Sequence, residues 1–246
     1  MTDLPVAPSP TRLGLVVDLD TCVGCHACAT SCKEWNTGGH WGPLTDVNAY
    51  QAEQRGVWFN RVFTYEVGRR GEEARTVHFP KACLHCENPQ CVAVCPTGAS
   101  YKRAADGIVL VDMDRCIGCK LCAWACPYGA REFDEDQGVM KKCTLCVDRI
   151  YDDNLEPADR VPVCVLTCPT KARHFGDFND PDSNVSTLTR DRGGYDLMPN
   201  LGYAPTSKYL PPREGRGACG KHDAPAPKLA REPGGFLRFL DHVLSR

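Results

Sequence analysis

The sequence has no long apolar run. Its most continuous apolar stretches, Leu13–Val17 and Ile108–Val111, fall far short of the roughly 20 residues a helix needs to span a bilayer. No transmembrane helix is expected. An excess of positive charge is missing too: 29 Lys and Arg stand against 31 Asp and Glu, for a net charge of −2. Nucleic-acid binders carry a basic face or stripe, so no nucleic-acid partner is expected. The opening MTDLPVAPSPTRLG has neither the positive start nor the apolar middle of a secretory signal. We therefore expect a chain on the cytoplasmic side, where thiols stay reduced. A periplasmic place would require export with a signal-bearing partner. Also missing are a Gly-rich dinucleotide fingerprint, a P-loop and a nucleophile constellation. The C-x3-C-x2-C loop of radical-SAM enzymes is absent as well. The expectation is a chain without a catalytic site of its own.

Ordinary core material is also scarce. The hydrophobic fraction is 42% of 246 residues, but it includes 17 cysteines, and the mean hydropathy is −0.35. Aliphatic burial alone is thus a thin basis for one large domain or two small ones. Metal binding can supply the difference, because forming the site and folding the chain share one free energy.

What the sequence has is cysteine in a repeating pattern. Group one is Cys22-x2-Cys25-x2-Cys28-x3-Cys32. Group two is Cys83-x2-Cys86-x4-Cys91-x3-Cys95, followed by Pro96. Group three is Cys116-x2-Cys119-x2-Cys122-x3-Cys126, followed by Pro127. Group four is Cys143-x2-Cys146, an insertion, then Cys164-x3-Cys168 and Pro169. Only Cys219 is left over, in the Gly-rich stretch Gly217–Gly220, and it reads as a plain free thiol.

The spacing suits a cubane iron–sulfur cluster. Three thiolates on one tight loop reach three corners, while the fourth leads into a helix that points away and ligates the other cluster of a pair. Sixteen thiolates fill four [4Fe–4S] clusters. Disulfide scaffolds belong to small secreted chains. Structural zinc uses two separated ligand pairs, a pattern that group four imitates and groups one and three do not. The repeat runs on past the cysteines: Cys95-Pro-Thr-Gly-Ala-Ser-Tyr, Cys126-Pro-Tyr-Gly-Ala-Arg-Glu-Phe and Cys168-Pro-Thr-Lys-Ala-Arg-His-Phe. Such repetition marks duplicated supersecondary units.

By the crossing rule, Cys22, Cys25, Cys28 and Cys168 bind cluster 1. Cys83, Cys86, Cys91 and Cys126 bind cluster 2. Cys95, Cys116, Cys119 and Cys122 bind cluster 3. Cys32, Cys143, Cys146 and Cys164 bind cluster 4. This pairs group two with three and group one with four; spacing alone also tolerates pairing three with four.

These motifs resemble the four-cluster iron–sulfur subunit of molybdopterin oxidoreductases of the dimethyl sulfoxide reductase type, over roughly residues 12–210. The resemblance implies the one-with-four, two-with-three pairing. Within that family, Cys32–Asn36, Gly56–Arg61 and Ser207–Arg213 are most similar to sulfite dehydrogenases. What the resemblance implies is an electron-transfer subunit that links two partners. One is the molybdopterin-guanine-dinucleotide catalytic subunit, and the other is an integral membrane, quinone-reactive anchor subunit. A free soluble polyferredoxin is the alternative.

The expected fold class is α+β, with two bacterial-ferredoxin-like units, one nested within the other, and an irregular C-terminal extension. Residues 12–35 and 127–176 form the outer unit and 75–126 the inner one. Residues 36–74 connect them, and 177–246 form an extended tail for partner contact, too poor in apolar residues for a core of its own, that wraps the ferredoxin body or a partner subunit. Residues 12–21 and 107–112 read as strands, and 56–67 with 74–79 as a hairpin. Residues 33–55 read as polar and irregular. The insertion after Cys146 reads as a helical start, Val147–Tyr151, then a solvated acidic loop. Gly235–Arg246 has one apolar face as a helix.

Several residues sit beside the cysteines. His26 and His85 lie in cluster loops that already have full cysteine sets, so they are not expected to be ligands. Lys33, Lys120 and Arg131 are either ordinary surface charge or charge that raises a cluster's potential. Trp124 is expected to pack against a cluster.

Overall fold

The computed structural model describes residues 4–5, 7–37, 57–68 and 74–213. The first half runs β1 (Leu13–Asp18), α1 (Ala27–Thr37), β2 (Asn60–Val67), β3 (Arg75–Ala82), α2 (Gln90–Ala93), β4 (Ser100–Lys102) and β5 (Val109–Val111). The second half runs α3 (Leu121–Trp124), β6 (Glu132–Asp134), β7 (Val139–Lys141), α4 (Val147–Ile150), α5 (Val163–Leu166), β8 (Arg173–Asp177), α6 (Asn184–Asp191) and β9 (Lys208–Leu210).

Strand β1 is apolar along its length because both of its faces are covered. It lies between β8, antiparallel with Leu15 opposite Phe175, and β9, parallel with Val17 opposite Tyr209. Val16 packs on one face against Val185 of α6 and Leu210. Leu15 and Val17 point the other way, as a two-residue period demands. Leu15 joins Ile108, Leu145 and Ile150, and Val17 joins Phe79, Tyr128 and Tyr209. Both of these larger cores contain cysteines: Cys86 in one, Cys28 and Cys164 in the other. The strand stops at Asp18 and does not reach residue 21. There the Asp18 carboxylate accepts the Asp20 N–H at 2.9 Å, and the Asp18 carbonyl accepts the Cys22 N–H at 3.2 Å, which turns the chain into the first cysteine loop.

The hairpin expected after residue 56 is β2–β3, with Phe63 opposite Phe79; its tip at 69–73 lies outside the described residues. Strand β5 pairs with β4, which links the end of group two to the start of group three. In the same way, β8 and β1 link the end of group four to the start of group one. Helix α1 packs on α5, and α2 packs on α3. Hairpin β6–β7 stands between groups three and four.

Two stretches are more regular than composition implies. Helix α1 continues to Thr37, with the Trp35 indole N–H donating to Asp148 at 2.7 Å and the Arg149 guanidinium stacked on its ring. Residues 38–56 lie outside the described residues.

The second stretch is the one expected to be an irregular, extended tail. From 177 to 213 it folds onto the protein's own body. Ser183 caps α6 by accepting the Ser186 N–H, a standard N-terminal device. Apolar residues are few here, but Val185, Leu197, Met198, Tyr209 and Leu210 are all buried. A low apolar count is enough when the side chains fall where the body needs them. Cys219 and the apolar face of Gly235–Arg246 lie outside the described residues.

Candidate iron–sulfur sites

All four cysteine groups bend the backbone at the same place. The second residue after the first cysteine is Gly24, His85, Gly118 or Leu145, and each has positive φ, between 48° and 68°. At Gly24 and Gly118 a Cβ would also collide, within 2.3 Å of the His78 ring and 2.4 Å of the Gly138 carbonyl. The third residue after the last cysteine repeats the device in three groups, with Gly98, Gly129 and Lys171 all at positive φ. These left-handed turns swing backbone N–H groups toward the thiols. Ser100 N–H donates to Cys95 Sγ at 3.3 Å, Ala172 to Cys168 at 3.2 Å and Leu145 to Cys143 at 3.4 Å, and from strand β7 the Met140 N–H adds a bond to Cys116 at 3.4 Å. Successive inward N–H groups favour an anionic occupant.

The cysteines gather in fours. Cys22, Cys25, Cys28 and Cys168 line one cavity. Cys83, Cys86, Cys91 and Cys126 line a second, and Cys95, Cys116, Cys119 and Cys122 a third. Cys32 is surrounded by Cys143, Cys164 and Cys146. The three cavities are similar in size, with about 320, 350 and 310 Å³ of open space. In each quartet, one cysteine comes from a different sequence group than the other three.

Buried thiols crowded together are costly to ionise. Burial, then the neighbouring cysteines, push Cys143 up to about 12. Burial pushes Cys146 up to about 11, and raises Cys32 and Cys86 well above the ordinary thiol range. Metal coordination removes that obstacle, because a coordinating thiol is deprotonated outright. Among the described residues, no three His, Cys, Asp or Glu side chains converge tightly enough for a single ion. Four thiols splayed around a cavity fit a multi-iron cluster better than one zinc, whose sulfurs sit about 2.3 Å from a common centre.

Two family models match the chain, both described as a 4Fe–4S dicluster domain, over residues 74–178 and 21–100. A sulfite dehydrogenase subunit of Allochromatium vinosum is 63% identical over 206 residues, covering 84% of this chain and 85% of the relative. This chain belongs to that iron–sulfur subunit family. A putative dimethyl sulfoxide reductase iron–sulfur subunit of Halobacterium salinarum is 37% identical, over 81% of this chain and 79% of the relative. A tetrathionate reductase subunit of Salmonella typhimurium is also 37% identical, over 81% and 72%.

Other features of this iron–sulfur subunit are less legible in the sequence. Arg131 is buried, its Nη2 donating to Cys91 Sγ at 3.0 Å and Ser100 Oγ at 2.7 Å. Arg173 was not among the expected site residues, although it occupies the same offset after its Cys-Pro. It is buried too, with Nη1 at 3.5 Å from Cys164 Sγ and Nη2 donating to Asn60 Oδ1 at 2.7 Å. That shared offset is the signal that finds it. Lys142, also unexpected, is buried and donates to the carbonyls of Val109 and Cys143.

Lys33 is buried with its ammonium over the Trp58 ring, whereas Lys120 is exposed and stacks on Phe133. His85 is fully buried, its Nδ1 accepting the Val109 N–H at 3.1 Å. His26 is half-buried at the turn after Cys25. Trp124 does not pack against a cysteine quartet: it is 89% exposed. It closes the four-residue helix α3, whose inward face is taken by Cys122.

Proposed function

We propose that the chain holds four [4Fe–4S] clusters and relays single electrons from a molybdopterin catalytic subunit to a quinone-reactive membrane subunit. Groups one and four would form the outer ferredoxin-like unit and groups two and three the inner one. The observation that carries this reading is the way the quartets adjoin. Arg173 faces Cys28 of quartet 1 and both Cys164 and Cys32 of quartet 4. Cys143 of quartet 4 faces Cys83 of quartet 2. Arg131 faces Cys91 of quartet 2 and Cys122 of quartet 3. These neighbours support the order 1, 4, 2, 3 for the quartets, and a single line of neighbours is what a conductor between two partners needs.

The two ends support the same reading. Cys25 of quartet 1 and Cys119 of quartet 3 are the exposed cysteines among the described residues. Around them stand exposed apolar residues: Val23 at one end, Ile117, Leu121 and Trp124 at the other. Apolar side chains around an exposed ligand suit a face that a partner covers. When bound, the clusters supply the one-electron redox chemistry; the chain positions, insulates and tunes them.

The 63% identity to a sulfite dehydrogenase subunit favours sulfite as the electron donor of the complex, with flow toward quinone. No helix among the described residues is long and apolar enough to cross a membrane. We propose peripheral attachment through the anchor subunit, on the cytoplasmic side.

Anaerobic purification with native partners tests the proposal. Four cubanes require about sixteen iron atoms and as many acid-labile sulfides per chain. Sulfite should reduce the clusters in the complex. A lone monomer carrying all the iron would instead favour the soluble polyferredoxin, and about four zinc atoms without sulfide, the metal count of closed tetrahedral sites, would overturn the cluster assignment.

A further inference from the structure

Arg131 and Arg173 are equivalent by sequence and by place. Each is the fifth residue after the last cysteine of its group, in Cys126-Pro-Tyr-Gly-Ala-Arg131 and Cys168-Pro-Thr-Lys-Ala-Arg173. Group two carries Ser100 at that offset, and Ser100 Oγ accepts from Arg131. Each crossed pair of groups thus contains one arginine, placed between the third cysteines of the two groups. Arg131 bonds Cys91 and reaches Cys122, and Arg173 reaches Cys164 and Cys28.

Both guanidinium groups are almost completely hidden from solvent, at 7% and 3% residue exposure. A buried charge is costly unless it is paired. Among the described residues, neither arginine has a carboxylate in ion-pair contact. The remaining counter-charge within reach is cysteine sulfur. Each arginine also keeps one buried nitrogen with no partner in the protein, Nη1 of Arg131 and Nε of Arg173. Arg131 lines the cavities of quartets 2 and 3 together, and Arg173 lines that of quartet 1. A planar fork of five N–H donors can serve acceptors on two sides at once, which a lysine ammonium does poorly.

We propose that Arg131 and Arg173 are shared positioning residues, each holding thiolates of two crossed cluster sites and setting the reduction potentials of those two sites together. This rests on the four-cluster reading above. Positive charge and donated hydrogen bonds at cluster sulfur raise the potential. The arginine therefore acts on a pair, Arg131 on sites 2 and 3, Arg173 on sites 1 and 4. One charge common to two sites moves their potentials in step.

The test is a potentiometric EPR titration of the full complex carrying R131Q or R173Q, with iron and sulfide counted on each preparation. R131Q is expected to lower the potentials of two of the four centres and R173Q those of the other two. R190Q, at a side chain 63% exposed, is expected to shift none. Unmoved potentials with full iron overturn the proposal, as does a shift confined to one centre or spread evenly over four. If a glutamine variant loses iron, the lysine variants R131K and R173K carry the test. With full iron they are expected to shift the same pairs by less, and wild-type potentials at both centres of a pair overturn the proposal. Wild-type iron far below about sixteen atoms per chain, the cubane count, would instead sink the four-cluster reading, so the two failures are distinguishable.

Discussion

Tyr209 gives the sharpest test of how the C-terminal stretch holds the cluster body together. It lies in β9, paired to the central strand β1, and only 1% of it is exposed. Its ring stacks on Phe79 at 4.5 Å, and its hydroxyl donates to the Pro80 carbonyl at 2.9 Å. Truncating a buried aromatic to alanine costs about 3–5 kcal/mol, and losing a stacked partner adds roughly 1 kcal/mol. Y209F keeps the ring and leaves one carbonyl without its donor, which costs roughly 1–2 kcal/mol.

Bleaching of the cluster absorbance in guanidinium is irreversible and reports a rate, so the variants are compared as apparent midpoints under argon at one fixed incubation time. With a slope of roughly 4 kcal/mol per molar guanidinium, the Y209A midpoint should fall by about 1 M and the Y209F midpoint by about 0.3 M. A Y209A midpoint within about 0.2 M of wild type, less than 1 kcal/mol on that slope, would show that the stretch after residue 177 is not part of the cooperative body.

Three further outcomes are expected. C95S should convert or empty the third site while leaving the second intact, because Cys95 lines the cavity of Cys116, Cys119 and Cys122 and not that of its own group; EPR of the reduced protein separates the two cases. Stripping the iron with a chelator should collapse near-ultraviolet circular dichroism along with the visible bands, since eight of the described cysteines are buried and metal binding is folding free energy. W124A should change stability by no more than about 0.5 kcal/mol, as surface substitutions do, while weakening retention of a partner subunit on co-purification.

The cysteine groups are legible because their spacing is a geometric demand of the cluster they suit, and a reader needs no tertiary information to apply it. The need for glycine at 24 and 118 shows only in the structure, where glycine alone fits both the left-handed turn and the closeness of His78 and Gly138. Pairing is less accessible. Spacing tolerates groups three and four together, whereas the packing of α1 on α5 and of α2 on α3 depends on tertiary contacts, in the first case across more than a hundred residues. The C-terminal stretch is legible in part: wrapping of the body is one of its two expected outcomes, whereas its helix and strand are not foreseen. Its composition resembles a linker, but Val185 and Leu210 meet Val16, and a few well-placed apolar side chains decide more than an average over the whole stretch. Trp124 departs from expectation because nearness in sequence to Cys122 says nothing about direction. Cys122 points inward, and two residues later a helix has turned its side chain by about 200°, toward solvent.

Arg131 and Arg173 show why function and stability are not separable in this fold. An ordinary protein places its core and its cofactor site in different residues, so a variant can damage one and spare the other. Here the apolar clusters contain liganding-type cysteines, Cys86 beside Phe79 and Tyr128, and Cys28 with Cys164 beside Leu15 and Ile108. Burying so much sulfur as thiolate without a counter-charge would be prohibitive. The two inward arginines supply part of that charge, and iron would supply the rest. The sheet that carries Arg173 is the one completed by Tyr209, so the residues that close the fold also fix the position of a charge that cluster potentials feel. A variant at Tyr209 that still holds iron should therefore show a displaced potential in the pair of sites Arg173 faces, and leave the pair facing Arg131 where it was.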